Sequence, residues 1–418
     1  MKHQIFPMSL NLQSVIAILL IVLSGNISAV ELADAEAQIG LPWTEKFRTN
    51  IKSDLDNYNK QKDHKAVAVA VSPNNRRVAF GYAWNHDSQL AAALTAIQSC
   101  EADRTERSIE GTCEVVVSNE DIIPLGKTHF DDIAEDAPSN VWHVQLPEGE
   151  LYVVGTIHVL KPTVFPLPRA YDIAYEAADQ IALETNALLM SDPERTSSLQ
   201  KLAVADAKSL KKQTPRRLKK ALRNFAKKHG GNVKSLYDIQ PIFTELQIGQ
   251  IAVLANGYSG ATGIEMHYSR KSTIDGKAIL ELEDFVETMS LMTNLPIETQ
   301  LTALETTLAN YDEFPETFHK ILSSWVGADI DELYALSMEP FTVTPELREF
   351  GESFLDGRNL GMMERIRPLL TSGKTTTVMV GAAHLGGPNG LIPLLRKEGL
   401  NPVQLTVLGE PVGPSNSE

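Results

Sequence analysis

Two distant segments of the chain end an apolar run in the same way. Leu151-Tyr-Val-Val154 leads into Gly155-Thr-Ile-His158, and Thr377-Val-Met-Val380 leads into Gly381-Ala-Ala-His384. Two more apolar runs end on carboxylates. Gln180-Ile-Ala-Leu183 stops at Glu184, and Ala278-Ile-Leu280, continuing to Leu282, stops at Glu283 with Glu281 just before it. Imidazoles and carboxylates are the groups that bind divalent metals and carry protons at neutral pH. A single His or Glu after a strand is more often a loop residue or a cap, and Gly-x-x-His is a short string. Its recurrence after two separate apolar runs gives it weight. Glycine at positions 155 and 381 lets the backbone turn sharply and approach a bound group closely.

The elements that must hold these side chains follow from the runs. Short, uninterrupted apolar stretches separated by helical segments read as buried strands of a parallel sheet joined by crossovers. In such sheets ligands bind beyond the carboxyl ends of the strands, where all four runs deliver their polar residue. The expected fold is α/β, with a mostly parallel central sheet, catalytic residues at the strand C-terminal ends, a helical insert or lid, and a small N-terminal ββαβ module. Between Glu184 and Gly276 the pattern is helical. Thr214 is expected to cap a helix with Pro215 at its first position and Gly230-Gly231 past its end. Leu218, Ala221, Leu222 and Phe225 form its apolar face among many Lys and Arg. That face packs on the domain or, alternatively, lies on an anionic membrane surface. Leu295 to Leu336 is also mainly helical and could join the lid, with Phe243, Tyr258, Trp325 and Tyr334 as its aromatics. Gly386-Gly-Pro-Asn-Gly390 lacks the Lys-Ser/Thr of a phosphate loop and reads as a turn into a helix.

Several of these strings, in order, resemble the TraB/GumN/Tiki family. The resemblance rests on Gly155-Thr-Ile-His-Val-Leu-Lys-Pro162, Leu183-Glu184, Gly263-Ile-Glu-Met-His-Tyr268, Gly276-Lys-Ala-Ile-Leu-Glu-Leu-Glu283, Arg358-Asn359 followed by Met363, and Gly381-Ala-Ala-His-Leu-Gly-Gly387. It spans about Val141 to Leu405. Glu265 stands where the family more often has Asp, and Glu281 where a small residue is commoner. The resemblance implies a divalent-metal-dependent peptidase that uses both Gly-x-x-His motifs and a glutamate. It also admits relatives of erythromycin-esterase-like enzymes and of a haem-binding lipoprotein.

The chemistry expected is a divalent metal (Mn, Co or Zn) held by His158, His384 and one carboxylate, with a position left for water. Glu184 is the first choice, as ligand or general base, and Glu283 and Glu265 are second ligands or partners that orient the imidazoles. Arg358 would bind a substrate carboxylate or an oxyanion, and Asn359 would add a hydrogen bond. The alternatives are a metal-free, esterase-like hydrolase with one His as general base, and a non-catalytic metal-, haem- or peptide-binding protein. No Gly-x-Ser-x-Gly elbow is present, which argues against a serine hydrolase. The substrate expected is a peptide or small molecule.

Upstream, Ala66 to Ser72, a turn at Pro73-Asn-Asn75, Arg77 to Tyr82, a helix from Leu90 to Ile97 capped by Ser88, and Cys113 to Val117 read as a ββαβ module, residues 64–124. This stretch resembles a small secreted bacterial domain of unknown function. Residues 125–140 read as an acidic linker, and the main domain as 141–410. Lys2 and His3, the apolar run Val15 to Leu23 and the small residues to Ala29 describe a secretory signal peptide over 1–29, or else an uncleaved anchor, followed by a helical or linker segment over 30–63. Export to a periplasm or the medium would allow Cys100 and Cys113, the chain's two cysteines, to pair; the alternative is two buried thiols. A net charge of −15 argues against a nucleic-acid partner.

Overall fold

The computed structural model describes residues 56–413, apart from 62–63, 73–76, 87–88, 110, 112, 119–120, 123–132, 162–163, 166, 187, 190–191 and 257. The expected signal segment, nearly all of 30–63, the turn at 73–75 and the Ser88 cap lie outside the described residues. Among those described, no helix is long and apolar enough to cross a membrane.

The N-terminal module has strands β1 (His64–Val71) and β2 (Val78–His86), helix α1 (Gln89–Glu106), and strands β3 (Glu114–Ser118) and β4 (Asp121–Ile122), in the sheet order β2-β1-β3-β4. The expected ββαβ pattern thus gains a two-residue strand, too short to show a period. Ala66, Ala68 and Ala70 of β1 meet Ala92, Ala93 and Ala96 of α1, so helix and sheet approach closely. Gly81 is part of this fit, because a Cβ there would lie 1.9 Å from the Ala96 carbonyl oxygen. Cys100 and Cys113 form the expected disulfide, Cα to Cα 6.0 Å, tying the helix to the start of β3. The module sits on the main domain through a polar seam. Arg104 and Thr105 of α1 reach Asp275, which also accepts from Tyr175 and Lys271.

The main sheet contains β5 (Pro138–Gln145), β6 (Glu150–Thr156), β7 (Gln180–Leu183), β8 (Ala278–Glu281), β9 (Thr376–Gly381) and β10 (Val403–Thr406), in the order β10-β5-β6-β9-β7-β8. The pairs β6/β9, β9/β7 and β7/β8 are parallel, and β10/β5 and β5/β6 are antiparallel. β5 starts inside the expected linker. Pro138 is tolerated there because it opens the strand, where a missing N–H costs no interior ladder bond.

Alternate residues of each strand feed two cores. Val154, Ile181, Leu183 and Met379 join one; Val153, Ala182, Val378 and Val380 join the other. Burial on both faces is why these strands read as unbroken apolar runs. Helix α2 (Arg169–Ala177) covers the first face. The insert follows, with α3 (Pro193–Ala203), α4 (Ala207–Gln213), α5 (Arg216–Lys228), α6 (Pro241–Ala255) and α7 (Ile264–Asp275). After β8 come α8 (Phe285–Thr293), α9 (Ile297–Ala309), α10 (Phe314–Val326), α11 (Ile330–Met338) and α12 (Pro345–Glu352). A π-turn over Ser353–Gly357 then runs into α13 (Arg358–Ile366). α13 and α14 (Leu391–Lys397) cover the second face.

One expectation about the insert changes, and one of the two readings of its basic helix holds. Thr214 does not cap α5; its hydroxyl donates to the Leu210 carbonyl at 2.7 Å, closing α4, and Pro215 itself occupies the cap position of α5. Leu218 and Leu222 are buried against Ile248, Leu301 and Leu304, so the apolar face of α5 packs on the domain. Of the expected lid aromatics, Trp325 is fully buried core, and its ring N–H donates to the Gly155 carbonyl at 3.2 Å.

Candidate functional site

Glu184 stands at the centre of the strand-end edge. The β7–β9 ladder runs one bond past β7, Glu184 N–H donating to Met379 O at 3.1 Å, which fixes where its side chain leaves the sheet. Its Oε2 accepts from the Gly381 N–H at 3.2 Å. The same oxygen lies 3.7 Å from His158 Nε2 and 3.8 Å from His384 Nε2. Both Gly-x-x-His motifs therefore aim one ring nitrogen at one carboxylate oxygen.

The far side of each ring is held. His158 Nδ1 lies 2.9 Å from Glu265 Oε1, and a carboxylate only accepts, so Nδ1 carries the hydrogen. Thr156, at the end of β6, donates its hydroxyl to the same Glu265 oxygen. Glu265 comes from the first turn of α7, and that turn can approach because residue 263 is glycine. A Cβ there would lie 2.3 Å from the His158 carbonyl oxygen. On the other side, His384 Nδ1 is 2.6 Å from Asn359 Oδ1, with the amide oxygen toward the ring. Both Nε2 atoms are then left facing Glu184. Gly381 fits between the two sides, since a Cβ would stand 3.0 Å from His158 Nε2 and 3.6 Å from Glu184 Oε2.

The surroundings drive the two imidazoles apart. The Glu265 carboxylate pulls the His158 pKa well above 6.5, and the ring is 59% exposed, so water offsets much of any burial penalty. Burial pushes His384 down to about 4, so it is neutral near pH 7. Burial alone would raise Glu184; His384, His158 and Arg358 outweigh it and hold the carboxyl far below its usual range. With His384 neutral, that pull rests on protonated His158 and on Arg358.

Arg358, at the start of α13, is engaged with glutamates. Its Nε lies 3.0 Å from both Glu283 oxygens, its Nη2 is 2.6 Å from Glu283 Oε2, and Nη2 also pairs with Glu184 Oε1. The nitrogens expected to receive a substrate thus hold two buried carboxylates in place. Glu283 faces Arg358 and is not in the group whose donor atoms converge on His158; burial raises its pKa against the pull of the guanidinium. Glu281 turns away as well, accepting from the Asn186 N–H at 2.8 Å and pairing with Arg195 at 3.0 Å. The strand ends at Glu281, so the alternation that would put 281 and 283 on one side does not continue.

Which side chains could hold a divalent ion follows from these contacts. His158, Glu184 and Glu265 offer atoms all within 4.8 Å of one another. Glu265 Oε1, however, is already bonded to His158 Nδ1 and to Thr156. His384 Nε2 also turns its lone pair toward Glu184 Oε2, although it stands outside the described group whose donor atoms all lie within 4.8 Å of one another. The 3.7 and 3.8 Å separations are too wide for hydrogen bonds and suit donors about 2.0–2.2 Å from a shared cation. Glu265 Oε2 is buried with no hydrogen-bond partner among the described residues, as is Asn359 Nδ2. The donor set fits a transition-metal dication.

Four contributors have a role at the site that their place in the sequence does not mark. Thr156 and Gly263 act through Glu265 and the His158 backbone. Tyr171 and Trp325 both donate to the Gly155 carbonyl, at 3.0 and 3.2 Å, and fix the first turn. The α11 start packs against the turn after His384, where the Gly387 N–H donates to Asp331 at 2.9 Å. The α10–α11 stretch thus braces both histidine turns, and the His158 ring stays open to solvent.

The model of the TraB/PrgY/gumN family matches residues 140–404, well over half of the chain, and the chain belongs to that family. No curated protein and no solved structure matches it.

Proposed function

We propose that this member of the TraB/PrgY/gumN family is an exported, metal-dependent hydrolase whose substrate is a peptide. One observation carries the reading. Two imidazoles each commit Nδ1 to a buried acceptor and turn Nε2 toward a single glutamate oxygen. Metal-binding histidines are oriented in this way, with the second nitrogen donating to a carboxylate or carbonyl.

His158, His384 and Glu184 would hold the ion, with Glu265 and Asn359 orienting the rings. Charge balance supports it. Glu184, Glu265 and Glu283, all ionised, face one guanidinium and one imidazolium, and these side chains together sum to one negative charge. A dication that displaces the His158 proton brings it to zero. A cation there would act as a Lewis acid and lower the pKa of a water near neutrality. The chain's own groups do the rest. Arg358 keeps Glu184 ionised, the Gly381 N–H fixes its Oε2, and solvent-facing His158 leaves substrate a way in.

The test is metal content by mass spectrometry on the full chain, beside a His158→Ala/His384→Ala double variant. About one equivalent of Mn, Co or Zn in the wild type, lost in the variant, is expected. No uptake by the wild type after refilling with each metal, or equal uptake by the variant, overturns it.

A second reading has its own support. Neighbouring imidazoles with opposite protonation are an acid and a base without any ion, His158 the acid and His384 the base. Hydrolysis undiminished by chelation and by metal-free buffers would select it.

A further inference from the structure

One surface of the molecule inverts its overall charge. Residues 207–234, covering α4 and α5, carry eleven of the chain's 38 Lys and Arg and none of its 53 Asp and Glu. The whole chain is −15, so the remainder is −26. The structure shows how this charge is displayed. Leu218, Leu222 and Ala226 bury one side of α5, which fixes its rotation. Arg216, Lys220, Arg223 and Lys227 then fall at helical spacings of four, three and four, a single stripe opposite the buried face, and all four are exposed. On the flank, Arg217 pairs with Glu305 and Lys228 with Asp312. No carboxylate of the described residues is within ion-pair distance of the stripe, nor of Lys211 and Lys212 on α4. Val204, just before α4, is 65% exposed.

A structural helix on an acidic protein gains nothing from four like charges repeated at i, i+3 and i+4, which repel one another. We infer that the α4–α5 face is a docking surface for a bilayer carrying anionic phospholipid headgroups. The occupant follows from form and charge. The stripe runs in a line along an exposed helix face, as fits a broad anionic plane, whereas a compact ligand would need a concave pocket. The −26 on the rest of the chain opposes a long polyanion wrapping around the molecule. Because the apolar side of α5 is already buried, the attachment is electrostatic and reversible, without insertion. The inference is independent of the metal reading.

The experiment is co-sedimentation of the full chain with vesicles of pure phosphatidylcholine and with vesicles containing one third phosphatidylglycerol. The comparison variant is Arg216→Gln/Lys220→Gln/Arg223→Gln/Lys227→Gln. Since the apolar segment at 15–23 would bind both lipids alike, only the difference between them counts. We expect the wild type to favour the anionic vesicles by at least about tenfold at low salt and to lose the preference in 0.5 M NaCl. The variant should lose it with unchanged circular dichroism and thermal midpoint. Equal binding to both lipids by the wild type, or an undiminished preference in the folded variant, overturns the proposal. So does binding to duplex DNA that exceeds binding to the anionic vesicles.

Discussion

The turn after β6 and the turn after β9 share one four-residue form and treat their histidines oppositely. His158 sits at the surface, is held by the charged Glu265, and favours its proton. His384 is buried, is held by the neutral amide of Asn359, and sheds its proton. Both address the same oxygen of Glu184. The motif therefore fixes where a ring nitrogen goes, and the partner behind the ring decides the charge it carries. That partner lies on another helix, 107 residues after His158 in one case and 25 before His384 in the other.

The largest perturbation should come from Arg358, which balances the carboxylate that both rings share. Arg358→Ala leaves Glu184 and Glu283 buried without their cation and is expected to cost about 3–5 kcal/mol, read from urea unfolding. A variant as stable as the wild type would mean that these carboxylates find water or protons instead.

Next come the two orienting partners. Glu265→Gln and Asn359→Ala should each weaken metal affinity by about 10–100-fold, with the larger loss in Glu265→Gln, where a charge is removed as well. Titration calorimetry that found Asn359→Ala the more damaging would reverse the ranking of the two sides.

Backbone clearance gives a smaller contrast. Gly263→Ala drives a methyl into the His158 carbonyl and should cost about 1–3 kcal/mol. Gly381→Ala meets side-chain atoms that can yield, so its effect should fall on metal binding more than on stability. Equal unfolding losses in the two variants would remove that distinction.

The finest test is protonation itself. In the metal-free protein, NMR should find His158 protonated and His384 neutral at pH 7. The signs of the stability effects differ accordingly. His158, raised in the fold, stabilises fully below about 6.5, and this is lost as the pH rises through its own pKa. His384, lowered, contributes fully above about 6.5 and loses that as the pH falls toward 4. Asn359→Asp should make the second turn resemble the first and move the His384 titration upward. A pKa that stayed put would show that burial alone sets it.

Much of this edge was legible in the residues. The three strands buried on both faces, β6, β7 and β9, have to be apolar throughout, so a His or Glu at their ends stands out, while the edge strand β8 is only partly buried. The family resemblance added Glu265, Arg358 and Asn359, which no strand pattern marks. What escaped was non-local. Nothing in Thr377-Val-Met-Val380 says that β9 lies between β6 and β7, or that Arg358 would meet two glutamates before any substrate. Thr156 is one more residue at the end of a strand until Glu265 arrives from α7, and Thr214 looks like a cap until its hydroxyl is seen closing the preceding helix. Glu281 has the right type and spacing for the site, and Arg195 from α3 takes it elsewhere.

The placement of β9 also sets a schedule. It is the one strand joining β10-β5-β6 to β7-β8, and it is made from residues 376–381. Until that stretch has left the ribosome, His158 and Glu184 belong to separate pieces of unfinished sheet, and His384 does not yet exist. A nascent chain halted before it holds most of the candidate donor atoms and no assembled edge.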